Sequence, residues 1–170
     1  ITTTGFSTVN FNDWPEMSKT LLFFLFFIGG TAGSTTGGMK IIRSILIIKY
    51  LIFEVRKLLH PKGVFPIKIG EKVIPDEVIK NTLGFYLFYI FIFVITSIVY
   101  SITGLDLETS LTAAASAIGN IGPGIGSIGP LDNWEHLTDF AKWVSSFTML
   151  MGRLEIFTVV VLFSRSFWRK

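Results

Sequence analysis

Long apolar stretches alternate with short polar or glycine-rich segments along this chain, and four of the apolar stretches predict helices. The first, residues 21–28 (LLFFLFFI), has a helix start near Ser18 and stops at Gly29 and Gly30. It is about half as long as a membrane-spanning helix, which needs roughly 20 residues. The second, residues 41–59, has a helical pattern with several charged side chains. We therefore expect its distal half to emerge into water.

The third stretch is the clearest candidate for a complete membrane span. Residues 81–102 contain no charged side chain over 22 positions. As a helix they would be roughly 33 Å long, which is enough to cross a bilayer. The fourth stretch, residues 140–163, is apolar apart from Lys142, Arg153 and Glu155, and we expect it to form the last membrane helix.

Two segments between these stretches are too rich in small residues for ordinary loops. Residues 29–38 (GGTAGSTTGG) join the first half-helix to a helix that continues in the same direction, which predicts a break inside one long span. Residues 110–118 predict a short uncharged helix of about 14 Å, half the hydrocarbon thickness. A glycine- and proline-rich run follows in residues 119–130. Irregular backbone at membrane depth requires burial in protein or a watery cavity, so the pattern predicts an all-α membrane protein with one broken helix.

Composition supports a membrane location and excludes several classes of function. Half of the residues are hydrophobic, and charged residues make up 16%, against roughly 25% in typical soluble domains. The chain has no cysteine and two histidines, which excludes thiolate zinc sites and a histidine metal cage. We expect no bound cofactor and no enzymatic activity. The basic residues lie beside apolar runs, so nucleic acid is not an expected partner.

The charges are distributed asymmetrically along the chain. Residues 40–80, which include a predicted hairpin around Gly70, hold nine of the fifteen basic residues, and residues 165–170 hold three more. By the positive-inside rule, both regions are cytoplasmic. Residues 1–17 and 104–139 hold seven carboxylates and no Lys or Arg. This outer face would concentrate cations at its mouth. The pattern predicts a multi-pass protein of the cytoplasmic membrane.

Two segments of the chain resemble each other. Each contains a glycine turn, an acid or amide immediately before a Trp, and then a helix that starts on the outside. The repeated unit is membrane helix, pore half-helix, glycine turn and membrane helix. A half-helix that ends at mid-membrane points its partly negative carbonyl end toward a central cavity, and glycine can direct carbonyl oxygens toward an axis. A ring of such oxygens replaces the hydration shell of a monovalent cation, and one unit supplies part of the ring.

Four motifs carry a resemblance to a known family. They are TTTGFS at residues 2–7, GGTAGSTTGGMK at 29–40, TGLDLETSLTAAASAIGNIGPG at 103–124 and GRLEIFTVVVLFSRSFWR at 152–169. Together they resemble the Trk/Ktr/HKT superfamily of potassium transporters, specifically the bacterial Trk-type membrane subunit. The resemblance implies potassium uptake through a pore of four units, a homodimer, and a cytoplasmic RCK-type nucleotide-binding subunit that controls opening.

The resemblance also implies how this chain is organised. It would be the C-terminal part of a longer protein, whose preceding residues supply the other pore units. Residues 1–59 would be the filter loop and broken second helix of the penultimate unit. Residues 60–78 would be a cytoplasmic connecting loop, and residues 79–170 the complete last unit. Membrane lipid would surround the assembly.

The site residues follow from the same resemblance. Gly5 and Gly122 match the family's filter glycines, and the substrate, a potassium ion, would be bound by the main-chain carbonyls of Thr4, Gly5, Ile121 and Gly122. The neighbouring filter residues would be Thr3, Phe6, Asn120 and Pro123. The intramembrane loop, which acts as the gate in the family, would consist of Gly29, Gly30, Thr31, Ala32, Gly33, Ser34, Thr35, Thr36, Gly37 and Gly38. Arg153 matches an arginine that forms a barrier in the pore, and Glu155 is a possible partner of Lys40.

Other interpretations of these features stay open. Each filter glycine is also compatible with a simple turn, the intramembrane loop with a small-residue kink for close helix packing, and Arg153 with a structural ion pair. A sodium-selective or less selective transporter of the same architecture and a non-conducting membrane assembly subunit are alternative functions. Channel-like transport and ion-coupled symport are both compatible with the sequence.

Overall fold

The described part of the chain folds into helices and a small β-hairpin. The computed structural model describes residues 3–31, 33–34, 36–61, 63, 65–163 and 165–168, so Ala32 and Thr35 of the intramembrane loop lie outside the described residues. The elements, in order, are a 3₁₀ turn (Phe11–Asp13), α1 (Glu16–Phe26), α2 (Ile41–Leu59), β1 (Lys68–Ile69), β2 (Lys72–Val73), α3 (Asp76–Ile102), α4 (Leu107–Gly119), α5 (Asp139–Arg153), α6 (Phe157–Leu162) and α7 (Arg165–Trp168).

Helices α1 and α2 form the predicted broken span. Helix α2 has the predicted bounds, and α1 begins two residues before Ser18, at Glu16, because Pro15 precedes it and an acidic residue in the first turn complements the helix dipole. Ile28 and Met39 form a parallel bridge across the intramembrane loop. The chain therefore leaves the line of the span at residue 29 and resumes it in the same direction at residue 39.

Helix α3 is the long apolar helix that the sequence predicts. It begins at Asp76 rather than residue 81, because Pro75 caps it and Asp76 and Glu77 occupy its first turn. Its mean hydropathy reaches 2.2, and among the described residues it is the one helix that is long and apolar enough to cross a membrane by length and composition. Its 27 residues correspond to roughly 40 Å.

The hairpin predicted around Gly70 is confirmed. Strands β1 and β2 are antiparallel, with Ile69 opposite Lys72. Gly70 has a φ of +61° at the turn, a conformation that favours glycine.

Helix α4 lies at the centre of the bundle. It packs against α3, α5 and α1, and its residues Ala113, Ala114 and Ala117 are fully buried. Small side chains allow neighbouring helices to approach closely. Helices α3 and α5 are joined beside it by a buried hydrogen bond of 2.7 Å between the Tyr100 and Ser145 hydroxyls. The packing therefore surrounds the half-helix with protein.

The prediction of one continuous helix over residues 140–163 is wrong, because the helix breaks at residues 154–156. Helix α5 ends at Arg153, and α6 begins at Phe157. Glu155 has a left-handed φ of +53°, and the fully buried Ile156 donates its N–H to the Met151 carbonyl. Residues rarely adopt this conformation unless tertiary contacts hold them there, and the side chain of Glu155 makes such a contact with α2.

Asp106 caps α4, and its removal should destabilise the fold. Its carboxylate accepts the Thr109 N–H at 3.0 Å, and hydrogen bonds from Thr109 hold the pKa of Asp106 below its usual value. We expect Asp106→Ala to lower the free energy of unfolding by about 1 kcal/mol at neutral pH. A depressed folded-state pKa stabilises the fold above the unfolded-state pKa, and this contribution is lost as pH falls through the folded-state value.

Thermal unfolding of the detergent-solubilised full-length protein measures this effect. The difference between the Asp106→Ala variant and the parent should be present at neutral pH and shrink in acid. The matched control is Glu135→Ala, which removes another exposed acid between α3 and α5. Equal stability of the Asp106→Ala variant and the parent at neutral pH would contradict a capping role.

Candidate ion-conduction site

The two predicted filter turns lie against each other. Gly5 has a φ of +79° and Gly122 a φ of +113°, both in the left-handed region that favours glycine. A Cβ built on Gly5 would lie 2.6 Å from the carbonyl oxygen of Ile121, and a Cβ on Gly122 would lie 3.9 Å from the Gly5 Cα. The fold therefore brings turns from distant parts of the sequence into direct contact, and each turn carries main-chain oxygens.

The neighbours of the first glycine are placed unequally. Thr3 is half-buried and has a left-handed φ of +51°, whereas Thr4 is exposed. The side chain of Pro123 would lie 3.4 Å from a Cβ on Gly5, so it packs beside that turn. Phe6 is 95% exposed. The described residues therefore leave the Phe6 ring almost entirely uncovered.

Helix α4 ends directly at the second glycine turn. Asn120 is its left-handed C-cap, with a φ of 52°, and its Nδ2 donates to the Met149 carbonyl of α5 at 3.0 Å. Gly122 donates its N–H to Ser116 Oγ at 3.1 Å, and its carbonyl oxygen accepts from Trp134 Nε1 at 3.2 Å. The partly negative carbonyl end of α4 therefore lies beside this turn.

A second contact between the two repeats is not predicted by the sequence. The side-chain amide of Asn12 accepts the Gly126 N–H at 3.1 Å and donates to the Gly126 carbonyl at 2.9 Å. One side chain thus satisfies both main-chain groups of a distant residue. The amides and acids before Trp14 are the only signal of this contact in the sequence. Gly126 could not be identified as the partner of Asn12, because that pairing depends on how the two repeats pack.

The intramembrane loop contacts the end of α4. Gly37 lies so close to the Gly119 carbonyl that a Cβ there would overlap it. Within the loop, Thr36 Oγ1 accepts the Gly30 N–H at 3.0 Å, and Ser34 Oγ accepts the Thr36 N–H at 3.2 Å. Small hydroxyl side chains therefore replace regular secondary structure in satisfying the loop's main-chain groups.

Lys40 binds the main chain of this loop. It is buried, and its Nζ donates to the carbonyl oxygens of Ser34 and Thr36, at 2.6 Å in each case. The expected pairing of Lys40 with Glu155 is therefore wrong. Glu155 Oε2 lies 2.7 Å from Arg43 Nη2. Lys40 precedes the first turn of α2 and reaches back to the loop, whereas Arg43 lies within that turn and contacts Glu155 in the break between α5 and α6.

Arg153 lies next to the intramembrane loop. It lines a cavity of about 220 Å³, whose other walls are Ser34, Thr36, Gly38, Lys40, Phe85, Gly152 and Glu155. The preceding residue, Gly152, packs against the Ile118 carbonyl, where a Cβ would overlap that oxygen. The absence of a side chain at Gly152 therefore lets the end of α5, and Arg153 with it, approach the end of α4.

The site offers main-chain oxygens as ligands for a cation. Across the described residues, no three His, Cys, Asp or Glu side chains come together in a way that could hold a metal ion. The glycine turns, by contrast, present carbonyl groups of the kind that replace the water shell of a monovalent cation.

A buried half-helix, two contacting glycine turns and a broken span with a small-residue loop define an all-α membrane protein. A family model described as TrkH, cation transport protein, matches residues 1–170. The chain belongs to this family.

Similar proteins support the same class. The chain is 43% identical over 169 residues to a Trk system potassium uptake protein TrkH of Halomonas elongata, covering 99% of this chain and 35% of that protein. It is 38% identical to the TrkH of Escherichia coli (strain K12), with the same coverage. The crystal structure of the potassium transporter TrkH from Vibrio parahaemolyticus superposes with a TM-score of 0.89 at 42% identity, over 99% of this chain and 36% of that one.

These comparisons confirm the predicted family and the all-α membrane fold. They also show that the chain spans about a third of the length of the relatives it matches, 35% of the proteins from Halomonas and Escherichia. The site residues are described above by their geometry, and their roles are argued below.

Proposed function

We propose that this chain forms part of a potassium uptake pore, through which ions pass without covalent chemistry. Main-chain carbonyls at Thr4, Gly5, Ile121 and Gly122 replace part of the water shell of the ion. The contact between the two glycine turns beside the carbonyl end of α4 is the observation that carries the proposal. A helix carboxyl end carries about half a negative charge and favours a cation in the adjacent cavity. The names of the similar proteins support potassium as the ion.

The proposed pore needs more filter turns than the two that this chain supplies. Residues 1–59 supply a filter turn and a broken helix, residues 60–78 a cytoplasmic connection, and residues 79–170 a complete unit. The rest of the carbonyl ring comes from further pore units of the same protein, which works as a homodimer in the cytoplasmic membrane. The filter faces outward, and the 60–78 loop and the C-terminus face the cytoplasm. There an RCK-type nucleotide-binding subunit controls opening.

Ion flux tests this function. The full-length protein that contains this chain, reconstituted in liposomes, should carry potassium or rubidium faster than sodium. Equal sodium and potassium fluxes would instead favour a less selective transporter of the same architecture. If the reconstituted protein carries neither ion, the proposal is wrong and a non-conducting assembly role is favoured.

In the same proposal, the intramembrane loop is the gate and Arg153 is a barrier beside it. We expect Arg153→Ala in the full-length protein to raise cation leak by roughly ten- to twentyfold. A positive charge at roughly 10 Å costs a cation about 1.7 kcal/mol at an effective dielectric constant near 20. Rubidium efflux from liposomes measures the leak. Arg56→Ala is the matched control, because Arg56 lies on the exposed, distal part of α2. Slower efflux from the Arg153→Ala variant would contradict a barrier role.

Lys40 holds this gate closed in the proposal. We expect Lys40→Met to raise basal flux severalfold, because both hydrogen bonds from the ammonium group to the loop are lost. The methionine keeps the apolar stem of the side chain. Lys49→Met is the matched control, since Lys49 Nζ also donates to a main-chain carbonyl, that of Lys68 at 2.6 Å, but outside the loop. Basal flux equal to the parent's would argue against a role for Lys40 in holding the gate closed.

A further inference from the structure

Side chains hold both main-chain polar groups of Gly122. Its N–H donates to Ser116 Oγ at 3.1 Å, and its carbonyl oxygen accepts from Trp134 Nε1 at 3.2 Å. Ser116 is fully buried in α4, so one anchor belongs to the half-helix before the turn and the other to the segment after it. The orientation of the two peptide planes around Gly122 is therefore set by side chains.

The indole of Trp134 is itself fixed by the last pore unit. Its ring packs edge-on against the ring of Tyr100, with centroids 6.4 Å apart and an interplanar angle of 67°. Tyr100 is fully buried and its hydroxyl lies 2.7 Å from Ser145 Oγ. Trp134 is thus supported by α3, which carries Tyr100, and by α5, which carries Ser145. A donor on such a support can restrain the carbonyl that it binds.

Restraint matters at this position because glycine supplies none. Gly122 has a φ of +113°, and glycine moves between conformations at little cost. A carbonyl oxygen has two lone pairs, so a hydrogen bond from Trp134 leaves one for an ion. Discrimination between cations by carbonyl oxygens depends on their number, position and field strength. A Gly122 carbonyl that is free to rotate would discriminate less well while still allowing ions to pass.

We infer that Trp134 is a positioning residue for ion selectivity, which fixes the Gly122 carbonyl through its indole N–H. The inference rests on the proposed function, because it requires the second glycine turn to bind the ion. It assigns a role in ion selectivity to a tryptophan that the sequence distinguishes only by the amide residue before it in the second repeat.

The experiment compares permeability ratios for variants of the full-length transporter in liposomes. Trp134→Phe keeps an aromatic ring and removes the N–H. Replacement of Trp134 by 3-benzothienylalanine keeps the bicyclic shape and exchanges the N–H for sulfur. We expect both to lower the potassium-to-sodium permeability ratio about fivefold, which corresponds to about 1 kcal/mol, the typical net value of one hydrogen bond. Trp143→Phe is the control, because Trp143 is 78% exposed on α5.

The outcomes separate this inference from the proposed function. A parent protein that does not transport potassium contradicts the proposed function itself. If the parent is selective and the benzothienylalanine protein has the parent's permeability ratio, the N–H has no role and the inference is overturned. A Trp143→Phe variant that lowers the ratio as much as Trp134→Phe would overturn it as well. The benzothienylalanine protein gives this answer even if Trp134→Phe fails to fold, because its ring keeps the packing against Tyr100.

Discussion

Gly5→Ala is expected to reduce potassium uptake by the full-length transporter more than tenfold. The added methyl group would lie 2.6 Å from the Ile121 carbonyl oxygen, which is one of the proposed ion ligands. It would also occupy a residue with a φ of +79°, where a Cβ costs about 1–2 kcal/mol. Relief of the contact requires one of the two turns to move, so the ring of oxygens loses its geometry. Rubidium uptake by cells or liposomes measures the loss.

Gly70→Ala is the matched control for this variant. Gly70 also has a positive φ, +61°, and among the described residues, its two chain neighbours aside, no heavy atom lies within 4 Å of a Cβ built there. The substitution imposes the same kind of backbone strain without a collision, and it lies in the hairpin far from the glycine turns in sequence. We expect its uptake to stay close to the parent's. Normal uptake by the Gly5→Ala variant would show that the two turns do not form a filter.

Deletion of residues 31–37 is expected to raise basal cation flux at least tenfold. These residues include the loop carbonyls that Lys40 binds and Gly37, which packs against the end of α4. Removing them takes away both contacts and clears the space beside the carbonyl end of the half-helix. Small-residue loops without regular hydrogen bonds have little local stability, so in our proposal the parent's loop closes this space reversibly, whereas the deletion variant keeps it open.

The structure indicates that the chain can be rejoined after this deletion. Gly29 donates its N–H to the Met39 carbonyl at 2.7 Å, and Ile41 donates to the Gly30 carbonyl at 3.1 Å. A Cβ on Gly38 would lie 3.6 Å from the Gly29 Cα. The ends of the deleted segment are therefore close together, and the bonds that align α1 with α2 involve residues that are kept.

A double variant distinguishes an open gate from a damaged protein. If the raised flux passes through the filter, adding Gly5→Ala to the deletion should abolish it. Flux that persists in the double variant would identify a nonspecific leak. A deletion variant with the parent's basal flux would count against the loop as a gate.

Local sequence patterns were sufficient to predict the helices and the hairpin that interactions between near neighbours in sequence determine. The apolar, uncharged run of α3, the bounds of α2 and the hairpin at Gly70 agree with the structure because charge, apolar spacing and turn residues act over a few positions. The half-helix α4 was predictable for the same reason. Helix α4 begins three residues earlier than predicted, because Asp106 caps it. The prediction rested on the run of small, uncharged residues and did not include the cap.

The break between α5 and α6 could not be predicted in this way. No glycine or proline lies at residues 154–156, and the apolar pattern runs through them. The break is held instead by the Glu155 to Arg43 ion pair, whose partners are 112 positions apart, and by burial of Ile156 in a cluster with Met39, Phe85, Tyr89 and Ile118. The wrong pairing of Lys40 with Glu155 has the same origin. Lys40 and Arg43 are near neighbours in sequence, and only their directions from α2 decide which of them reaches the carboxylate.

The amino-acid order alone specified the membrane class, the repeated unit and the two glycines whose backbone conformations no other residue adopts cheaply, because these depend on composition and local sterics. Tertiary packing decided which groups meet: the turn at Gly5 against that at Gly122, Lys40 on the loop carbonyls, and Trp134 on the Gly122 carbonyl. The physical reason is the distance along the sequence over which each interaction acts. Hydrophobicity and φ preferences belong to a residue and its neighbours, whereas a hydrogen bond between distant residues exists only once the helices have packed.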